Sequence, residues 1–224
     1  MNIIDYIKYK PPRLRHHAYA SLYLPINKEK VKKTSYPEVL ESIKWSGLFA
    51  NGKAPVYLDI GCGMGKLMIE LALHQSNVNI LGMDVRRNAV AWVNKVIEGE
   101  KITNAKAIWY SVVNGIKFID DKSIKKIFYL FPDPWLKKRH NKRRAFSCFL
   151  LDELARVLTD DGKLYLMTDV PEVEEHQLNV IYEHKKFYAE IVSGNQWDLP
   201  VMTNQEELCI KKKIPFVKII CRKK

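Results

Sequence analysis

An aspartate held between two prolines is the feature of this sequence best suited to chemistry: Asp133, in Phe131-Pro132-Asp133-Pro134-Trp135. Each proline fixes its own φ, so the carboxylate rides on a stiff turn. The apolar run 125–131 before it reads as a strand, and the carboxyl ends of strands are where open α/β sheets bind ligands. A carboxylate there can accept hydrogen bonds from the ring or exocyclic N–H groups of a nucleobase. Trp135 is suited to packing beneath the loop or to stacking on a base, and packing is the preferred reading. Immediately downstream, residues 137–144 hold six Lys/Arg and no acid, with His140 and Asn141 among them. Arginine forks match phosphate oxygens, so this density puts polyanion binding beside the proposed reacting turn; the plainer reading is a solvated charged surface.

A second constellation lies earlier, in Leu58-Asp59-Ile60-Gly61-Cys62-Gly63-Met64-Gly65-Lys66, after an apolar run and before a helix-like stretch. Gly61 and Gly63 let the backbone turn tightly and approach a ligand closely, because no Cβ stands in the way. The spacing is GxGxG, one residue short of the dinucleotide fingerprint, which disfavours a nicotinamide oxidoreductase. Asp84 ends the run Leu81-Gly82-Met83-Asp84, about where a carboxylate accepts hydrogen bonds from ribose hydroxyls. The plainer reading is that Asp59 and Asp84 only cap loops, and Asn114-Gly115 reads equally well as a turn.

These residues need elements to position them. Strands are expected at 56–60, 79–84, 106–110, 125–131 and 163–169, then near 187–192 and 214–221, the last two as a terminal hairpin on one sheet edge. Helix-like spacing separates the first five, at 67–72, 89–93, 149–158 (stopped by Asp161-Gly162) and 172–185, so the class is α/β with parallel strands and crossover helices. A further helix is expected at 37–45, with Pro37 in its first turn. The division this suggests is a basic arm with a helix at 1–50 and a single domain at 51–224.

Charge narrows the class of partner. The chain of 224 residues carries a net +12, yet residues 1–33 (+6), 137–144 (+6) and 211–224 (+7) together exceed it, which leaves −7 for the remainder. A near-neutral or acidic body with concentrated basic patches is the pattern of a polyanion binder. Cys62, Cys148, Cys209 and Cys221 form no CxxC pair and the histidines no HxxxH, so neither a zinc cage nor a dithiol centre is signalled, and no metal is expected. No run reaches the ~18 apolar residues of a spanning helix, and the basic N-terminus lacks an apolar h-region, so a cytoplasmic protein with no membrane partner is expected. Oligomeric state, monomer or homodimer, is left open.

The glycine loop flanked by Asp59 and Asp84 resembles the S-adenosylmethionine fold, the Rossmann-like class I methyltransferase fold. That resemblance implies a mostly parallel seven-stranded sheet with helices on both faces and a C-terminal antiparallel hairpin. It implies cofactor contacts from Asp59 near the methionine end, from Gly61 and Gly63, from Asp84 to the ribose and from Asn114 at the adenine edge. Residues 128–144 closely resemble the hallmark of the bacterial tRNA (guanine-N7)-methyltransferase family, with the Phe-Pro-Asp-Pro-Trp run followed by Lys, Arg-His and Asn-Lys-Arg-Arg. The likeness continues through Thr168-Asp169 and Thr203-Asn204-Gln205-Glu206 and covers roughly residues 55–210.

The family resemblance implies transfer of a methyl group from S-adenosyl-L-methionine to N7 of a guanine in tRNA, the variable-loop guanosine at position 46, forming 7-methylguanosine. Asp133 is then the catalytic or base-binding acid and is also placed against the cofactor. Lys137 and Asp169 contact substrate, and Thr203, Asn204, Gln205 and Glu206 complete the guanosine pocket. This chain departs from the family in having Asp59 where Glu is usual and Asn204-Gln205 where a Lys and an aromatic are usual. The arm matches no family pattern, so its RNA-binding role rests on charge alone. Competing readings are an exocyclic N-methyltransferase, suggested by Asp133-Pro134-Trp135, and a non-catalytic RNA-binding module on the same fold.

Overall fold

The structure is a computed structural model that describes residues 4–13, 20–26 and 36–224. Seven strands form one sheet in the order β3-β2-β1-β4-β5-β7-β6. They are β1 (Tyr57–Ile60), β2 (Ile80–Asp84), β3 (Ala105–Trp109), β4 (Ile124–Leu130), β5 (Leu158–Thr168), β6 (Phe187–Ile191) and β7 (Val217–Lys223). The first five are parallel; β7 runs antiparallel between β5 and β6, which forms the edge. The helices are α1 (Lys66–His74), α2 (Arg87–Gly99), α3 (Cys148–Val157), α4 (Pro171–His184) and α5 (Asn204–Lys212).

Alternation along the strands explains the two faces, since successive side chains point to opposite sides of a sheet. Leu58, Ile127, Tyr129, Leu164 and Ile219 meet Leu150, Leu154 and Ile181 from α3 and α4 on one face. Tyr57, Phe128, Tyr165 and Ile220 meet Met68, Ile69, Val93 and Val96 from α1 and α2 on the other. This is the expected mostly parallel seven-stranded α/β sheet with an antiparallel C-terminal pair. The order reverses between β1 and β4, so their carboxyl ends diverge and leave a crevice there.

Three local expectations need correction. The segment 37–45 forms no helix; only a short 3-10 turn, Trp45–Gly47, follows it. Its apolar residues Leu40, Ile43, Trp45 and Leu48 instead lie against the core beside α3, which extended backbone accomplishes without a buried helical stripe. Asp161-Gly162 does not stop α3, which ends at Val157 when Leu158 turns extended and pairs with Ile124. The pair lies within β5, where the register jumps to Lys126↔Lys163 across an irregularity, and Gly162 leaves room for Leu158 and Thr159 beside it. The third correction is an unexpected helix: α5 buries only Glu206 and Cys209, too little apolar surface to give a periodic signal.

The described parts of the arm lie against the body. Trp92 Nε1 donates to the Tyr9 carbonyl at 3.2 Å, the Tyr9 hydroxyl donates to Glu100 at 2.8 Å, and the Tyr6 ring stacks on Trp92. Of the arm's basic residues, Arg15, Lys28, Lys30, Lys32 and Lys33 lie outside the described residues. Among the described residues no helix is long and apolar enough to cross a membrane.

The third loop glycine, Gly65, begins α1 at φ 72°, and a Cβ there would stand 2.8 and 2.9 Å from the γ-methyls of Val93 on α2. Left-handed backbone and a filled neighbour act together, so Gly65→Ala is expected to destabilise the fold by about 2 kcal/mol or more, read as a lower urea midpoint at unchanged slope.

Candidate active site

The glycine loop follows β1 and is held against β2 by backbone bonds from Gly61 N and Cys62 N to the Met83 carbonyl, at 2.7 and 3.1 Å. Gly61 has φ 77°, and no atom lies within 4 Å of where its Cβ would point, so the loop keeps one side clear for close approach. Asp84, at the end of β2, is 3% exposed. It accepts from Gly63 N at 2.9 Å, from Arg86 N at 2.7 Å, and from Nε and Nη2 of the Arg86 guanidinium at 2.9 and 2.8 Å. Asp59 is buried on the neighbouring strand, opposite Gly82 in the register. Burial, and then the field of Asp84, push its carboxyl up to about 7.

The turn after β4 carries Asp133, with Phe131 at φ 49° and Trp135 at φ 43°, so strained left-handed backbone brackets the aspartate. Phe131 N is tied to the Met167 carbonyl at 2.7 Å, and Arg144 Nε to the Pro134 carbonyl at 3.1 Å. Trp135 is buried as expected, with Tyr23 edge-on at 5.0 Å and the Arg143 guanidinium 4.9 Å from its ring centre. The basic run then forms a 3-10 turn, Lys138–Arg143, that begins directly after Lys137, itself exposed.

A strap of the arm crosses this edge of the sheet. Ser111 Oγ donates to the Leu22 carbonyl, Ile26 N donates to Asn114 Oδ1 at 3.1 Å, and the Tyr36 hydroxyl donates to the Leu24 carbonyl at 2.8 Å. Asn114 Nδ2 in turn donates to the Tyr36 hydroxyl at 2.8 Å. The strap sets the Tyr23 phenol on Asp133 Oδ2, donating a hydrogen bond. Burial and the charge of Asp133 raise the phenol's pKa and keep its proton in place, with Asp84 adding in the same sense. What remains between the two carboxylates is a cavity of about 100 Å³ lined by Tyr23, Gly61, Asp84, Arg86, Ser111 and Asp133, among others.

The cavity thus brings together Gly61, Asp84 and Asp133 of the residues singled out by sequence. Asn114 is not in its lining; its amide anchors the strap. Thr203 caps α5 through a bond from Glu206 N to its Oγ1 at 3.0 Å. Gln205 Nε2 donates to Asp169 Oδ2 at 2.9 Å, so these two expected substrate residues meet. Glu206 is buried and paired with Lys218 Nζ at 2.7 Å, facing β7. Asn204 lines a separate cleft of about 250 Å³ with Tyr6, Tyr9, Met64, Lys66 and Trp92. Tyr23 and Arg86 escaped the sequence reading. An Asp-x-Arg spacing signals Arg86, whereas Tyr23 lies 110 residues from its partner and leaves no local signal. Among the described residues no group of three or more His, Cys, Asp or Glu is placed to hold a metal ion.

Comparison with known proteins gives this geometry a context. Residues 53–219 match the family described as "Putative methyltransferase". The chain is 30% identical over 172 residues to a tRNA (guanine-N(7)-)-methyltransferase of Thermosynechococcus vestitus, covering 75% of this chain and 80% of the relative. It is 29% identical over 181 residues to the Prochlorococcus marinus protein of the same name, covering 77% and 85%. Among solved structures, the geranyl diphosphate C-methyltransferase of Streptomyces coelicolor, in complex with S-adenosyl-L-homocysteine, superposes with a TM-score of 0.50. That pair is 13% identical, with 76% of this chain and 71% of that one covered, which is a likeness of fold.

Two expectations follow from the geometry. Asp59 has a folded pKa of about 7 against an ordinary 3.8, so its neutral form is the one folding favours. Its contribution is fully present below pH 3.8 and is lost as pH rises through about 7. Asp59→Asn should therefore flatten the fall in urea midpoint between pH 5 and pH 8; an unchanged slope of midpoint against pH would count against a buried, proton-holding Asp59. Asn114→Ala should release the strap, with faster deuterium uptake confined to residues 20–26 and a global stability cost of only about 1–2 kcal/mol.

Proposed function

We propose that this chain, which belongs to the tRNA (guanine-N7)-methyltransferase family, transfers the methyl group of S-adenosylmethionine to N7 of a guanine in tRNA. The observation that carries the reading is the placement of Asp133. A rigid carboxylate stands at the sheet's switch point, shares one cavity with the Asp84 carboxylate and the glycine loop, and is followed at once by a run of basic residues. The target is the variable-loop guanosine, position 46, by the family's pattern, and the site of action is the cytoplasm. Residues 51–224 act as the methyltransferase domain and the basic arm of 1–50 as an RNA-binding extension.

The residues fit the cofactor. Gly61 leaves its Cβ side open, Asp84 offers a buried carboxylate to ribose hydroxyls once Arg86 yields part of its grip, and Asp59 sits deeper where a cationic ammonium would stabilise its ionised form. When bound, S-adenosylmethionine supplies a sulfonium methyl group. Guanine N7 has an in-plane lone pair and carries no proton at neutral pH, so the N7–methyl bond forms as the sulfur–methyl bond breaks, with no proton to remove. The chain's task is then placement of the base, which can account for much of the barrier. Positive charge passes to the purine, and Asp133 stabilises it electrostatically without acting as an obligatory base. Lys137, Asp169 and the Thr203–Glu206 segment serve the guanosine, and the basic turn serves phosphates.

Incubation with labelled S-adenosylmethionine and unmodified tRNA, followed by nucleoside analysis, tests the reading: 7-methylguanosine supports it, and a label on an exocyclic amine replaces it with the competing methyltransferase. Asp133→Ala should lower the single-turnover rate by about 10²-fold or more while tRNA binding persists, because phosphate contacts dominate affinity. Asp133→Asn should keep the fold and recover little of the rate, since a neutral amide cannot balance the charge developing on guanine.

A further inference from the structure

Gln205 and Cys209 lie one helical turn apart on α5, so their side chains share a face. Both converge on one atom. Gln205 Nε2 donates to Asp169 Oδ2 at 2.9 Å, and the Cys209 thiol reaches the same oxygen at 3.6 Å. Among the described residues no donor reaches Oδ1. Burial and the Asp169 charge raise the thiol's pKa, so it stays protonated as a donor. The helix that carries the two donors is itself fixed at its first turn. Glu206 pairs with Lys218 at 2.7 Å on β7, and Glu207 pairs with Lys66 at 3.0 Å at the start of α1. Lys66 also donates to the Met202 carbonyl at 3.0 Å, just before the helix.

Asp169 follows the carboxyl end of β5, next to the strand that leads to Asp133, and Leu130 and Met167 are paired near those ends. A carboxylate in this position suits one base edge in particular. The Watson–Crick edge of guanine presents a ring N–H and an exocyclic amine side by side, both donors, whereas N7 lies on the opposite edge. Gripping the first edge leaves N7 turned outward to react. The grip selects guanine only if the carboxylate cannot rotate to suit another pattern, and a hydrogen-bonded carboxylate on a fixed helix meets that condition.

We propose that Gln205, assisted by Cys209, is a positioning residue that holds the Asp169 carboxylate for the Watson–Crick edge of guanine and so sets selectivity for that base. The inference rests on the reading of Asp169 as a guanosine contact. Gln205 acts on selectivity through Asp169, whose Oδ2 it holds.

The test compares two tRNA substrates, one with guanosine and one with inosine at the methylated position, since inosine lacks the exocyclic amine and retains N7. The parent protein should prefer guanosine by about tenfold or more in kcat/KM. Gln205→Met keeps the length of the side chain and removes its donor. It should lower kcat/KM on the guanosine substrate about tenfold, chiefly through KM, and change the inosine value less than twofold, so that discrimination collapses. S-adenosylmethionine Kd and Tm should hold. Gln205→Lys, which restores a donor of similar reach, should recover the discrimination. Unchanged discrimination in Gln205→Met overturns the proposal, as does a parallel fall of both substrates together with Tm, which would mark a purely structural role. Asp169→Asn separates the two levels of the argument. If it keeps full activity and discrimination, the assignment of Asp169 fails and the proposal with it; if it loses both while Gln205→Met loses neither, only the role of Gln205 fails.

Discussion

The relation of the glycine loop to the sheet depends on one buried carboxylate. Asp84 receives a backbone donor from the loop, a backbone donor from the residue two positions on, and two nitrogens of a guanidinium. Four donors, two of them from a guanidinium, give this buried carboxylate the partners it needs away from water. Its charge then acts on what surrounds it. It helps raise Asp59 towards neutrality, it raises the Cys62 thiol, and it reaches the Tyr23 phenol. An alanine at position 84 would leave Gly63 N and the Arg86 fork without this acceptor, and the loop would be tied to β2 only by the backbone bonds to Met83.

The second constraint is the strap. Ser111 and Asn114 belong to the segment after β3, and both bond the arm through their side chains, Ser111 from the cavity's lining and Asn114 from outside it. Tyr23 is thereby set on Asp133, more than a hundred residues away in sequence. The arm and the candidate site are one structure in this respect. The phenol that meets the proposed reacting carboxylate thus belongs to the N-terminal arm.

Much of the frame was legible in the sequence because it obeys short-range rules. β-branched and aromatic runs marked the strands, and apolar residues three and four apart marked α1 to α4. The misreadings have physical causes. At 37–45 the apolar residues fit a helix and are spent on covering the core in extended form. In α5 the burial is carried by Glu206 and Cys209, one of them charged, so hydropathy is silent there. Thr203-x-x-Glu206 does have the spacing of a helix N-cap, and Thr203 does receive the Glu206 amide. Taken for a substrate motif alone, it hid the helix it begins. Arg86 could have been inferred from the nearby Asp84; Tyr23 could not, because nothing within ten residues of it refers to Asp133.

Four acids from four strands meet this edge of the sheet, and their states differ because their partners differ. Asp59 ends up near neutrality, since burial removes its water and the only strong field on it is another carboxylate. Asp84 is balanced by an arginine. Asp133 is exposed and shares the proton of a tyrosine through a hydrogen bond. Asp169 accepts from an amide and a thiol, neither of which carries charge. Of the four, only Asp84 is in an ion pair among the described residues. Among the described residues no ion pair involves Asp133 or Asp169, and on the proposed reading a base that becomes cationic on methylation would gain from such carboxylates at the rim. The basic run, Lys137 to Arg144, follows the same turn and is partly folded back on it, with Arg143 over the Trp135 ring and Arg144 bonded to the Pro134 carbonyl. The Pro132-Asp133-Pro134 corner thus sets an acid and a basic run side by side in one short segment, the pair that the proposed reading assigns to the base and to the phosphates.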